Sequence, residues 1–267
     1  MGLYQNRIVV KVGTSTLTNE VGKSDLRAMD RLACVLSDVH NMGYDVILVS
    51  SGAIAVGAGK LNMKTRPASM KMKQAAAAVG QCSIMFLYDK FFGDYDKTIA
   101  QILLNAEDIE QEEKKENLTN TFDALLEMGV IPVVNENDSV SYTEIESEER
   151  LFGDNDMLSA VVSVLCKANL LVILSDIDGL YDGDPRLHPS AKLIDRIENI
   201  DDSVYSLAGG AGSRRGTGGM RTKLQAADLA TANGTDTIIT NGKPPEAIYD
   251  IIEGRKAGTL FVGKTKR

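Results

Sequence analysis

Short runs of β-branched and aliphatic residues alternate along this chain with longer stretches in which apolar residues recur every three or four positions. Runs at 7–12, 44–50, 97–103, 130–134 and 170–175 read as strands, and later ones at 235–239 and 259–262 are set off by glycine. Between 24 and 43, Leu26, Met29, Leu32, Ala33, Leu36 and Val39 share one helical face; Ser24 is positioned to cap that helix and Gly43 to end it. Residues 67–92, rich in alanine and methionine, predict a longer helix suited to burial against a sheet or a second subunit. A further helix is predicted from about 220 to 232, behind a glycine-rich segment at 209–219. Strand and helix alternate as in β-α-β units, so the fold class is α/β with a largely parallel sheet. No internal repeat or long linker interrupts it. Residues 1–167 and 168–267 read as two halves of one domain sharing one sheet.

Composition narrows the ligands. The chain has 267 residues, 43% hydrophobic, with a net charge of -8, enough apolar material for a sizeable core and the wrong sign for a broad nucleic-acid surface. Small solutes are the better expectation. No apolar run approaches the ~18 residues of a membrane span, and MGLYQNRIVVKVG carries no signal-type cleavage pattern, so a cytoplasmic protein is expected. Cys34, Cys82 and Cys166 form no C-x-x-C pair and are expected to be buried reduced thiols. Two histidines, His40 and His188, exclude a histidine-rich metal site and leave little room for a Ser-His-Asp triad. Chemistry must rest on lysines, carboxylates, amides and glycine backbones.

Neither of two common phosphate signatures is present. Leu17 stands where GxxxxGK[ST] needs its first glycine before Gly22-Lys23-Ser24, and no GxGxxG follows a strand. Polar clusters instead follow the strands, where ligands bind in open parallel sheets. Lys11-Val12-Gly13-Thr14-Ser15 can set a cation and backbone N–H groups beside a phosphate, although a strand-end lysine is by itself usually solvated. Ser50-Ser51-Gly52-Ala53 is an ordinary turn that also offers a hydroxyl and N–H donors. Asn135-Glu136-Asn137-Asp138 supplies amides and carboxylates suited to an amino acid. Gly153-Asp154-Asn155-Asp156 precedes an apolar helix, and a helix cap would account for only one of its acids. In Ser175-Asp176-Ile177-Asp178-Gly179-Leu180-Tyr181, with Asp182 to Arg186 after it, the acids alternate as in a calcium loop but lack the EF-hand spacing, so a nucleotide rim fits better. Gly216-Thr217-Gly218-Gly219-Met220-Arg221-Thr222-Lys223 can cradle phosphates at a helix N-terminus, with Lys223 as an added cation. The acidic stretch 144–149 reads as a solvated hairpin or loop.

Taken in order, VVKVGTSTLT, VSSGAIAVG, VVNENDSV, FGDNDMLSA, SDIDGLYDGDPR and GTGGMRTKLQAAD resemble segments of the amino acid kinase family, and within it the members that phosphorylate glutamate. The resemblance runs from residue 8 to about 262. It implies a three-layer sandwich of helices around a largely parallel sheet of about eight strands, with glutamate over the half formed by 1–167 and ATP over the half formed by 168–267. It implies ATP contacts from Lys11, Gly13, Ser175, Asp176, Thr217, Gly218, Gly219, Met220, Arg221, Thr222 and Lys223, and glutamate contacts from Ser51, Asn135, Asp138 and Asn155. Lys11 and Lys223 would neutralise the transferring phosphoryl group, with Asp156 orienting them. Mg2+ would accompany ATP with no direct side-chain ligand. Proline is implied as a feedback inhibitor, a homo-oligomer as the assembly, and a glutamyl-phosphate reductase as a possible partner. The chain departs from many such members in stopping at Arg267, where a PUA domain would follow, in a longer and more acidic stretch at 144–151, and in Ser175 where threonine is common. Two alternatives stay open: a kinase of the same fold with another acceptor, and a non-catalytic nucleotide- or amino-acid-binding module.

Overall fold

The computed structural model of the chain describes residues 7–19, 23–65, 67–140, 155–208 and 219–264. Its elements run β1 Arg7–Val12, α1 Thr14–Leu17, α2 Leu26–Asn41, β2 Asp45–Ser50, α3 Ala53–Lys60, α4 Met70–Gly93, β3 Ile99–Leu104, α5 Ala106–Glu110, α6 Glu112–Glu127 and β4 Ile131–Glu136. After these come α7 Asn155–Leu165, β5 Leu170–Ser175, β6 Arg196–Ile197, α8 Asp202–Leu207, α9 Met220–Ala232, β7 Asp236–Asn241, α10 Ala247–Ile252 and β8 Thr259–Phe261.

The strands form one eight-stranded sheet in the order β3-β4-β2-β1-β5-β7-β8-β6. It is parallel except where β8 pairs antiparallel with β7. Alternation along the strands sends side chains to two cores. Ile8, Val10 and Val12 of β1 pack with Leu48 and Val172 beneath α2, α3, α4 and α10. Val9 packs with Ile47, Val49 and Ile173 beneath α6, α7 and α9. Both sheet faces are thereby covered, which is why the central strands read as unbroken apolar runs rather than alternating ones. The α/β class and the three layers match the expectation from sequence.

Strands β1 to β4 occupy one side of the sheet and β5 to β8 the other. Chain progression reverses at β1, whose neighbours are β2 and β5. A crevice at the carboxyl ends of these strands is the place where such sheets take ligands.

Several local expectations are corrected. Asp25, not Ser24, caps α2, accepting from the Ala28 amide at 3.1 Å; Ser24 instead bridges to Thr18. Helix α4 begins at Met70, after Pro67, and the two-residue edge strand β6 has no apolar run to announce it. Only Cys166 is a buried thiol; Cys34 is half-buried and Cys82 exposed on the outer side of α4. The acidic stretch 144–151 and the glycine-rich residues 209–218, Thr217 and Gly218 included, lie outside the described residues, as do Gly153 and Asp154.

Candidate active site

Lys11 is the penultimate residue of β1, and the pleat turns it toward the layer that holds α7 and α9. There it meets Asp156, in the first turn of α7, a position where the helix dipole favours a carboxylate. Lys11 Nζ lies 2.6 Å from Asp156 Oδ1. From the first turn of α9, Lys223 Nζ lies 2.9 Å from Asp156 Oδ2, and the Thr222 hydroxyl donates to the same oxygen at 3.2 Å. Asp156 is 0% exposed and both lysines are buried. Burial alone would raise the carboxyl pKa, but the charges and hydrogen bonds of Lys11 and Lys223 outweigh it and bring it down to about 2. One carboxylate thus holds two ammonium groups together in a poorly solvated place, leaving a net positive charge for an anion that arrives between them.

On the β2 and β4 side, Asn155 precedes Asp156 and reaches back to the strand ends. Its Nδ2 donates toward Ser50 O at 2.8 Å, Ser51 Oγ at 2.9 Å and Asn135 Oδ1 at 2.9 Å. Ser51 is followed by Gly52, whose φ of +101° lets the chain turn at once into α3. Asn135 donates in turn to Gln81 Oε1 of α4 at 2.9 Å, and the Ser50 hydroxyl pairs with Tyr88 OH at 3.0 Å. Asp138 sits on the turn beyond β4. Its pKa is raised to about 6, first by burial and then by the neighbouring charge of Glu136. Among the described residues it is not hydrogen-bonded into the amide cluster.

On the β5 and β7 side there is a cavity of about 440 Å³, within the range of small-molecule sites. Residues 175–181 form much of its wall, with Arg186, Gly219, Met220, Lys223 and Asn241. The Ser175 hydroxyl donates to Asp176 at 3.3 Å. Asp178 accepts from Asn241 Nδ2 at 2.8 Å and from Tyr181 OH at 3.0 Å. Lys223 belongs both to this wall and to the buried ion cluster, so the cavity opens onto the charged centre.

A profile described as Amino acid kinase family matches residues 6–241. The chain belongs to the amino acid kinase family. Among curated members of known name, a Glutamate 5-kinase of Clostridium perfringens is 54% identical, the match covering 97% of this chain and 96% of that one. A Glutamate 5-kinase of Clostridium acetobutylicum is 49% identical over 98% and 96%. Among solved structures, a carbamate kinase from Giardia lamblia bound to AMP-PNP superposes with a TM-score of 0.66 at 14% identity, covering 97% of this chain and 99% of that one; at that identity the likeness bears on fold alone.

Within this amino acid kinase, the sequence-predicted residues separate into groups. Lys11, Asp156, Thr222 and Lys223 converge, as do Ser51, Asn135 and Asn155, while Ser175, Asp176, Gly219 and Met220 line the cavity. Arg221 is exposed on α9 and is not part of the cavity wall. Gly13 is the residue before α1 with an ordinary φ of -85°, and a Cβ there would meet Lys11 Nζ at 3.6 Å, a van der Waals contact, so close packing does not demand glycine. Gln81, Tyr88 and Asn241 also belong to the site's framework and are absent from the residues that the sequence predicts. Asn241 carried a signal, since it ends a strand at T-N-G-K. Gln81 and Tyr88 carried none, because inside an apolar helix they look like any helical polar residue.

Proposed function

We propose that this chain transfers the γ-phosphoryl group of ATP to the γ-carboxylate of L-glutamate, giving L-glutamyl 5-phosphate, the first step of proline biosynthesis. The observation that carries the proposal is the buried Lys11–Asp156–Lys223 cluster, with a nucleotide-sized cavity on one side and an amide cluster on the other. The acceptor is supported by relatives named Glutamate 5-kinase at 54% and 49% identity.

The acceptor carboxylate, with a pKa near ~4.3, is already ionised at neutral pH, so no general base is required. One of its oxygens forms the new O–P bond as the bond from the γ-phosphorus to the bridging oxygen breaks, and the electron pair leaves with ADP. Lys11 and Lys223 stabilise charge on the phosphoryl oxygens, and Asp156 keeps the two cations at fixed positions before and during transfer. Ser51, Asn135 and Asn155 hold the acceptor, with Asp138 opposite its ammonium group. Ser175, Asp176 and the 217–223 segment hold ATP, so residues 1–167 form the acceptor half and 168–267 the nucleotide half. Mg2+ suits this donor set when it arrives on the triphosphate: it favours phosphate oxygens and retained water, and among the described residues no three His, Cys, Asp or Glu side chains gather into a cage. When bound it adds charge neutralisation.

The acyl phosphate product is labile, which favours a reductase as the consuming partner, and a homo-oligomer is the assembly we expect. Among the described residues no helix is long and apolar enough to cross a membrane; we propose a cytoplasmic location.

Glutamate-dependent ADP release, with hydroxamate trapping of the acyl phosphate, tests the reaction against a panel containing aspartate, N-acetylglutamate, carbamate and UMP. Lys11→Ala and Lys223→Ala are each expected to lower kcat at least ~100-fold with the circular dichroism spectrum preserved, because such electrostatic groups contribute several kcal/mol in the transition state. Near-normal turnover by both would show that the phosphoryl group is transferred elsewhere.

A further inference from the structure

The amide cluster has a direction. Asn155 Nδ2 carries two hydrogens and faces three acceptors, Ser50 O, Ser51 Oγ and Asn135 Oδ1. The Ser50 carbonyl belongs to the backbone and can only accept, so it fixes which end of the Asn155 amide faces the strand ends. Asn135 must then present its oxygen to Asn155, for the reversed amide would set donor against donor. With its oxygen committed, Asn135 has an NH2 group that needs an acceptor of its own. Gln81 Oε1, 2.9 Å away, is that acceptor.

The second observation concerns how firmly Gln81 is held. It follows Gly80, where a Cβ would lie 1.8 Å from Ala53 O, and the reciprocal contact sets a Cβ on Gly57 1.8 Å from Ala76 O. Helices α3 and α4 therefore cross backbone to backbone. Ala53 is the first residue of α3, two positions beyond Ser51, so this crossing ties Gln81 to the Ser51 turn. Seven residues on, on the same side of α4, Tyr88 OH meets the Ser50 hydroxyl at 3.0 Å. One rigid helix thus supports both Asn135 and the end of β2.

We propose that Gln81 is a positioning residue of the acceptor site, resting on the glutamate kinase reading above. By accepting from Asn135 it keeps the Asn135 oxygen on Asn155 and both Asn155 hydrogens on Ser50 O and Asn135 Oδ1. The Ser51 hydroxyl is then left to donate its proton to an acceptor carboxylate. Without Gln81 the Asn135 NH2 is a buried donor with no partner, a penalty relieved by rotating the amide and upsetting the whole row. None of these amides lines the nucleotide cavity, so the damage falls on acceptor binding.

The test compares Gln81→Leu, which removes the acceptor, with Gln81→Glu, which keeps one, each alone and Gln81→Leu also in an Asn135→Ala background. Gln81→Leu is expected to raise the glutamate KM about tenfold or more, the effect of ~1.4 kcal/mol, with the ATP KM within about twofold and the melting temperature little changed. Gln81→Glu should restore the glutamate KM to within about threefold of wild type. Once Asn135 is alanine, Gln81→Leu should add less than about twofold, because the two act through one bond. A normal glutamate KM in Gln81→Leu, equal impairment of Gln81→Leu and Gln81→Glu, or additive effects with Asn135→Ala would each overturn the role. Absence of glutamate-dependent turnover in the wild type would instead strike the reading of the reaction, and the two failures are told apart by that control.

Discussion

Two aspartates in this chain are driven in opposite directions by what surrounds them. Asp156 is the more deeply buried, yet two lysines hold its carboxyl down to about 2, whereas half-buried Asp138 is pushed up to about 6 by partial desolvation and by the neighbouring charge of Glu136. Asp156 is therefore ionised throughout any working pH range. Its depressed pKa contributes stability that is present above the unfolded value near ~3.9 and lost as pH falls through the folded one. For Asp138 the sign is reversed. Partial burial and the charge of Glu136 favour its protonated form up to about pH 6, and under the proposed role an ammonium group beside it would displace that proton. The glutamate KM is accordingly expected to be flat above about pH 6 and to rise below it, approaching tenfold per pH unit, while the ATP KM stays level. Steady-state rates from pH 5 to 8 would reveal the step, and Asp138→Asn should abolish it while raising the glutamate KM at every pH. Glutarate, lacking the amine, should be a poor substrate. A wild type that uses glutamate and glutarate equally would remove Asp138 from ammonium recognition.

Among the elements, the α3–α4 pair is the most exacting, because its two glycines allow the helices to touch through their backbones. Gly57→Ala and Gly80→Ala would each drive a methyl group to within 1.8 Å of a carbonyl oxygen on the facing helix. Overpacking against immobile backbone costs about 1–3 kcal/mol or more, so both variants should melt several degrees lower. Gly93→Ala is the control: a Cβ there meets nothing within 4 Å, and its melting temperature should hold or rise slightly. A Gly80→Ala variant as stable as wild type would mean that the helices do not cross so closely. The same elements mark what a sequence reading can reach. Strands β1, β2 and β5 announce themselves as apolar runs because they are covered on both faces, and α9 because Gly219 precedes it. Pro67 fits a helix start in pattern alone, which sets the expected start of α4 three residues early, and Ser24 and Asp25 are both capping residues that pattern does not separate. Strand β6 rests on pairing with β8, a partner distant in sequence.

For the molecule as a whole, the order of its strands converts a list of motifs into a single site. Lys11, Asp156 and Lys223 were legible as separate candidates, each at a strand end or helix start, but their contact depends on β1, α7 and α9 converging at the carboxyl ends of the central strands, which no local pattern encodes. That convergence joins the two halves of the sheet, and it bears on regulation. Proline shares with glutamate an α-carboxylate and a cationic nitrogen but has no γ-carboxylate to reach the lysines. The groups that would recognise the shared features, Ser51, Asp138 and the 135–137 segment, belong to the β2 and β4 side, away from the cavity behind β5. Proline is therefore expected to inhibit by competing with glutamate and not with ATP. Over a grid of glutamate and proline concentrations, the apparent glutamate KM should rise at constant kcat, and varying ATP should leave the inhibition unchanged. The Asp138→Asn variant should lose affinity for proline and glutamate together, since on this reading one carboxylate would serve both nitrogens. A fall in kcat at saturating glutamate would assign proline to a separate site, and a lack of inhibition even at low glutamate would end the regulatory proposal while leaving the phosphoryl-transfer site as described.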